Sequence, residues 1–134
     1  MKKLIIASWL AAICILAPAA WSQEATPVRQ TIRYFKTPLE KDQTREVEMV
    51  SITVLPGTGN EFHRHYGEQW TTVQDGEVTF TIKGQPPVVL KVGDSNHVTR
   101  GIIHRQQNLS DKPARYIVLN ILDKGKPTAE PVPE

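Results

Sequence analysis

Residues 57–76 read Gly57-Thr58-Gly59-Asn60-Glu61-Phe62-His63-Arg64-His65-Tyr66-Gly67-Glu68-Gln69-Trp70-Thr71-Thr72-Val73-Gln74-Asp75-Gly76, and this stretch decides how the chain folds. It opens within the turn cluster Pro56-Gly57-Thr58-Gly59-Asn60 and sets His63 and His65 two residues apart. Side chains two apart on a strand share a face, so these imidazoles project side by side from backbone positions about 6–7 Å apart. Two rings placed like this can converge on one ion, and imidazole suits Zn, Cu, Fe and Ni. Residues 69–74 are rich in β-branched and aromatic side chains and run into Asp75-Gly76, a strong hairpin signal.

The same texture continues on both sides. Residues 28–34 read as a first edge strand. In residues 46–54, Val50, Ile52 and Val54 face one way while Ser51 and Thr53 face the other. Residues 77–82 alternate again through Val78, Phe80 and Ile82, and Lys83-Gly84-Gln85-Pro86-Pro87 then turns the chain. Residues 88–92 form another strand, closed by Gly93-Asp94, and residues 115–122 form the last strong one. No stretch has a sustained helical period. Short strands at regular spacing predict an all-β sandwich or barrel.

Two strings make the prediction narrower. The first is Gly57-x5-His63-x-His65-x3-Gln69-x6-Gly76, and the second is Gly93-x5-Thr99-x-Gly101-x2-His104-x3-Asn108. Together they resemble the two motifs of the cupin superfamily, G-x5-H-x-H-x3,4-E-x6-G and G-x5-P-x-G-x2-H-x3-N. The separation, residues 77–92, resembles the short hairpin between the motifs of small bacterial cupins. The likeness covers roughly residues 47–122. It implies a double-stranded β-helix, the jelly-roll barrel, in which His63, His65 and His104 ligate one divalent transition metal ion, be it Fe, Mn, Ni, Zn or Cu.

This chain departs from the motifs at two positions. Thr99 replaces a proline, which should only loosen a turn. Gln69 occupies the place of the family's glutamate ligand. An amide carbonyl is neutral and binds a cation more weakly than a carboxylate does. Three imidazoles and an amide would leave the ion's charge uncompensated, favouring an anionic further ligand. Glu68 remains an alternative ligand. Strand parity points it away from Gln69's face, and only a β-bulge would turn it inward.

Other residues are expected to brace or line the pocket. Asn108 matches the second motif and is expected to support the site without ligating. Gln106 shares parity with His104, and Thr71 and Val73 share parity with Gln69. His97 lies outside the ligand pattern and is a candidate proton carrier or pocket wall. Phe62 and Trp70 are candidates for the pocket mouth, whereas Arg64 and Tyr66 have outward parity.

The chain's start reads as an export signal. Met1-Lys2-Lys3 is basic, residues 4–17 are almost wholly apolar, and Ala17-Pro18-Ala19-Ala20 supplies small residues. Cleavage after Ala19 or after Ser22 satisfies the small-x-small rule. The apolar run is short for a bilayer span, which needs about 20 residues. Ile13 before Cys14 argues against lipid attachment. The organisation expected is a signal peptide over residues 1–22, an N-terminal arm and edge strand over 23–45, the cupin domain over 46–123, and a Pro-rich disordered tail over 124–134.

Removing the leader removes the single cysteine, so the mature chain must be held by its core or a metal. It also removes Lys2 and Lys3, so the formal charge of +2 falls to about zero. A near-neutral domain has no broad field for nucleic acid or anionic lipid. A periplasmic or secreted location, a small-molecule ligand or substrate, and no membrane association after cleavage follow from this reading. A homodimer is implied by the family likeness, since small cupins commonly pair through strand edges. Three functions stay open: a metal-dependent oxygenase or lyase, a non-catalytic binding module, and a barrel stapled by its metal. There is no nucleophile elbow, phosphate loop or cysteine cluster.

Overall fold

A computed structural model of the chain describes residues 29–133. The leader expected over residues 1–22 lies outside the described residues. Eleven strands follow one another without a helix among the described residues: β1 (Arg29–Pro38), β2 (Arg45–Val54), β3 (Thr58–Gly59), β4 (His63–Arg64), β5 (Gly67–Asp75), β6 (Glu77–Ile82), β7 (Val88–Lys91), β8 (Ser95–Val98), β9 (His104–Asn108), β10 (Ala114–Asp123) and β11 (Glu130–Pro131). They form two antiparallel sheets. One has the order β1-β2-β10-β5-β8, the other β11-β4-β9-β6-β7, with β3 also paired to β9. This is the all-β, double-stranded jelly roll that the motifs imply.

Inward-facing residues of β2, β10 and β5 line up in cross-strand rows. Ile52 lies opposite Tyr116, and Tyr116 opposite Val73; Val50 lies opposite Val118, and Val118 opposite Thr71. Ile52, Tyr116, Val73 and Val118 are at most 4% exposed and form the core with Val54, Val78, Phe80 and Leu90. Burying each such side chain contributes about 1.5–3 kcal/mol. One row further along, the composition changes to Glu48, Asn120 and Gln69, again directly opposite one another and again buried. One end of the barrel interior is therefore apolar and the other polar.

The motif glycines Gly57, Gly76, Gly93 and Gly101 all have φ between 67° and 89°. Gly76 shows why no other residue serves. Its φ of +67° is left-handed, and an added Cβ would lie 2.7 Å from the Pro113 carbonyl oxygen. It lets β5 turn directly into β6.

The C-terminal segment departs from the sequence expectation of a disordered tail. Residues 124–133 run along the barrel, and β11 pairs with β4. Phe62 accepts the Val132 amide at 2.8 Å, Glu130 pairs with Arg64 at 2.7 Å, and the Lys83 ammonium donates to the Pro133 carbonyl at 3.0 Å. Backbone pairing and charge hold the segment in place, so it needs no apolar periodicity of its own.

Candidate metal centre

Three elements bring the histidines together. His63 on β4 lies directly opposite His104 on β9. His65 follows in the link between β4 and β5. Their exposures are 7%, 4% and 0% for His63, His65 and His104. Ring centroids lie 4.9 Å apart for His63–His65, 4.5 Å for His63–His104 and 5.1 Å for His65–His104. One ring nitrogen from each lies within 4.8 Å of the others.

Backbone carbonyls orient all three rings alike. Nδ1 of His63 donates to Glu61 at 2.8 Å, that of His65 to Thr128 at 2.6 Å, and that of His104 to Ile102 at 3.0 Å. A neutral imidazole that donates from Nδ1 carries a lone pair on Nε2. Burial also disfavours protonation. It holds His63 and His65 below the usual histidine range against the opposing pull of the Glu61 and Thr128 carbonyls. Burial pushes His104 down to about 4, and the charges of His63 and His65 act in the same direction.

Gln69 completes the set from β5. Its Oε1 lies 3.4 Å from His104 Nε2, and its Nε2 donates to Asn120 Oδ1 at 3.1 Å. Asn120 in turn directs its Nδ2 at Glu48 Oε2, 3.5 Å away. The order is fixed by donor and acceptor capacity. The Glu48 carboxylate only accepts, so Asn120 presents its amino group there and its carbonyl to Gln69. Gln69 must then turn its own carbonyl to the histidines. Two lone-pair atoms, Gln69 Oε1 and His104 Nε2, consequently face each other. His65 Nε2 is buried without a hydrogen-bond partner. Acceptors aimed at one point with no proton between them suit a cation, and the residues fit a divalent metal on this ground.

Glu48 was not apparent as a site residue from the sequence. It is 1% exposed, receives the Arg33 guanidinium at 2.6 Å and accepts from Thr128 Oγ1 at 3.3 Å. Its strand parity with Val50, Ile52 and Val54 was the available signal, as was the parity of Asn120 with Tyr116 and Val118. Thr128 lay in the segment expected to be disordered.

The other expected residues divide. Gln106 is buried, lines the cavity beside the histidines and donates to Thr71 Oγ1 at 2.9 Å; Thr71 is fully buried. Phe62 also lines the cavity. Asn108 makes no bond to the histidines. Its amide donates to the Val54 and Lys112 carbonyls at 3.0 and 2.7 Å, and its oxygen accepts from Ser110, so it ties down the turn before β10.

Glu68 and His97 are not pocket residues. The register of β5 against β10 runs without a bulge through Gln69, leaving Glu68 on the outer face. Trp70 shares that face and lies opposite His97 of β8. His97 stacks on Trp70 at 4.6 Å with rings 5° from parallel, and its Nε2 meets Glu68 Oε2 at 3.1 Å. Parity along β5 and the pairing of β8 with it account for both placements.

A jelly roll whose interior directs three imidazoles at a common point defines a class of metal-site barrel proteins. The sequence agrees: the cupin domain family matches residues 50–120, more than half of the chain, which belongs to that family. A search of curated proteins gave no match. Among solved structures, the chain is similar to a conserved protein with a double-stranded β-helix domain from Klebsiella pneumoniae (TM-score 0.63, 20% identity, covering 81% of this chain and 90% of that one). It is also similar to the polyketide cyclase RemF from Streptomyces resistomycificus (0.63, 15%, 80% and 72%). A third is the DMSP lyase DddQ from Ruegeria pomeroyi (0.57, 23%, 64% and 43%). The chain spans less than two thirds of the length of several matching structures, that lyase among them.

Proposed function

We propose that this chain is an exported cupin that binds one divalent transition metal through His63, His65, His104 and Gln69, and that it acts on a small molecule in the adjoining cavity. The observation that carries the reading is the set of Nδ1–carbonyl bonds, which leaves three buried imidazole lone pairs and the Gln69 carbonyl directed at one point. A metal held there would supply Lewis acidity, or redox chemistry if it is Fe, Mn, Ni or Cu. The chain's own part is positional. The carbonyls of Glu61, Thr128 and Ile102 hold the rings, the Glu48–Asn120–Gln69 row holds the amide, and burial keeps the imidazoles unprotonated. Oxygenase and lyase activities both suit a neutral ligand set with open coordination positions. By their names, two structurally similar proteins are a lyase and a cyclase, which supports including non-oxidative reactions in any screen.

The test is turnover of chelating small molecules by the mature protein, with and without chelator. Chelator-sensitive turnover supports the enzyme. Ligand-dependent thermal stabilisation without turnover supports a binding module instead. The basic and apolar start of the sequence supports export. Ile32, Tyr34 and Phe35 on the edge strand β1 are 53%, 54% and 42% exposed, which supports a homodimer through that edge; light scattering tests it.

A further inference from the structure

The cavity beside the histidines has a volume of about 390 Å3 and lies between β1 and the C-terminal segment. That is a size for a small organic molecule. Its walls are apolar on one side, where Val50, Ile52 and Val118 contribute, and Phe62 adds a ring. Its charges come from four residues: Arg29, Arg33, Glu48 and Glu61. They do not cancel uniformly. Arg33 is committed to Glu48 at 2.6 Å. Glu61 is exposed at the rim, where solvent screens it.

Arg29 is left over. It shares the cavity side of β1 with Thr31 and Arg33, and its Nε is buried without a hydrogen-bond partner among the described residues. A buried guanidinium nitrogen without an acceptor is costly, and a planar carboxylate satisfies it with two parallel bonds. The imidazoles and the amide contribute no negative charge of their own, and the one buried carboxylate in the cavity wall, Glu48, is already paired with Arg33.

We propose that the ligand is a small carboxylic acid with an apolar body, its carboxylate held by Arg29 and its body resting against Val50, Ile52 and Val118. This deepens the reading of the cavity as a ligand site, and its test is independent of whether the metal reading holds. The mature protein is titrated calorimetrically with benzoate, phenylacetate and hexanoate and with the corresponding amides, once in chelator and once with zinc. Metal content per chain is measured in every sample. At least one of the acids should bind ten-fold or more tightly than its amide in both conditions. Arg29→Gln should erase that preference, and Arg29→Lys should retain part of it, which separates loss of charge from misfolding. Equal binding of acid and amide, an unchanged preference in Arg29→Gln, or no binding of any acid would overturn the assignment. Failure to hold zinc would count against the metal reading alone.

Discussion

Replacing Gln69 with glutamate tests the polar row that crosses the barrel. In the native protein each amide has one direction: Glu48 accepts from Asn120, and Asn120 accepts from Gln69. Glutamate at position 69 has no proton to give. Asn120 has a single amino group, which cannot face both carboxylates, so one buried carboxylate meets a carbonyl. Such an unsatisfied contact costs about 1–3 kcal/mol. For a domain of this size, that lowers Tm by about 4–12 °C. The opposite holds once a divalent cation is present, because a carboxylate binds it better than an amide. Gln69→Glu should therefore be less stable than wild type in chelator and bind zinc at least as tightly. Thermal unfolding at pH 8, with and without zinc, measures both. Adding Glu48→Gln should restore most of the lost stability, since the amide introduced on β2 can donate to Asn120 and let it reverse. If the single variant unfolds at the wild-type temperature in chelator, the directional row is wrong.

Three further outcomes follow from particular contacts. His104, pushed down to about 4 by burial, takes up fewer protons folded than unfolded. Stability of the metal-free protein is thus fully present above about pH 6.5 and is lost as pH falls toward 4. The loss from this residue is about 3 kcal/mol, and urea unfolding across that range should show it shrink in His104→Asn. Deleting residues 127–134 removes the Thr128 carbonyl that orients His65 and should weaken zinc binding about ten-fold, assuming a net hydrogen-bond contribution of about 1 kcal/mol or slightly more; unchanged affinity by competition with a chromogenic chelator would contradict the orienting role. His97→Ala removes only an exposed contact with Glu68 and Trp70, so metal content should be unchanged and stability altered by less than about 1 kcal/mol by urea titration.

The sequence carried the parts of the fold that depend on local pattern. Alternation in β2, β5 and β10 is strong because one face of each is buried, and the motif glycines mark turns that demand positive φ. Motif spacing and strand parity together separated Gln69 from Glu68. What escaped detection depends on partners distant in sequence. β3, β4 and β11 have two residues each and so no period to read. The C-terminal segment is held by backbone pairing, which any sequence can make, and by ion contacts to Arg64 and Lys83, which lie far from it in sequence. Glu48 is a charge in an otherwise apolar register, and its burial makes sense only once Arg33, Asn120 and Thr128 are seen around it. His97 could be excluded from the pocket only when β8 was found beside β5.

Elemental analysis of the gently purified protein addresses the central claim most directly when done alongside His104→Ala. His104 is fully buried and closes the three-imidazole set from the opposite strand. The account predicts close to one divalent transition metal per wild-type chain and little in a folded His104→Ala protein. Equal, stoichiometric metal in both would contradict it.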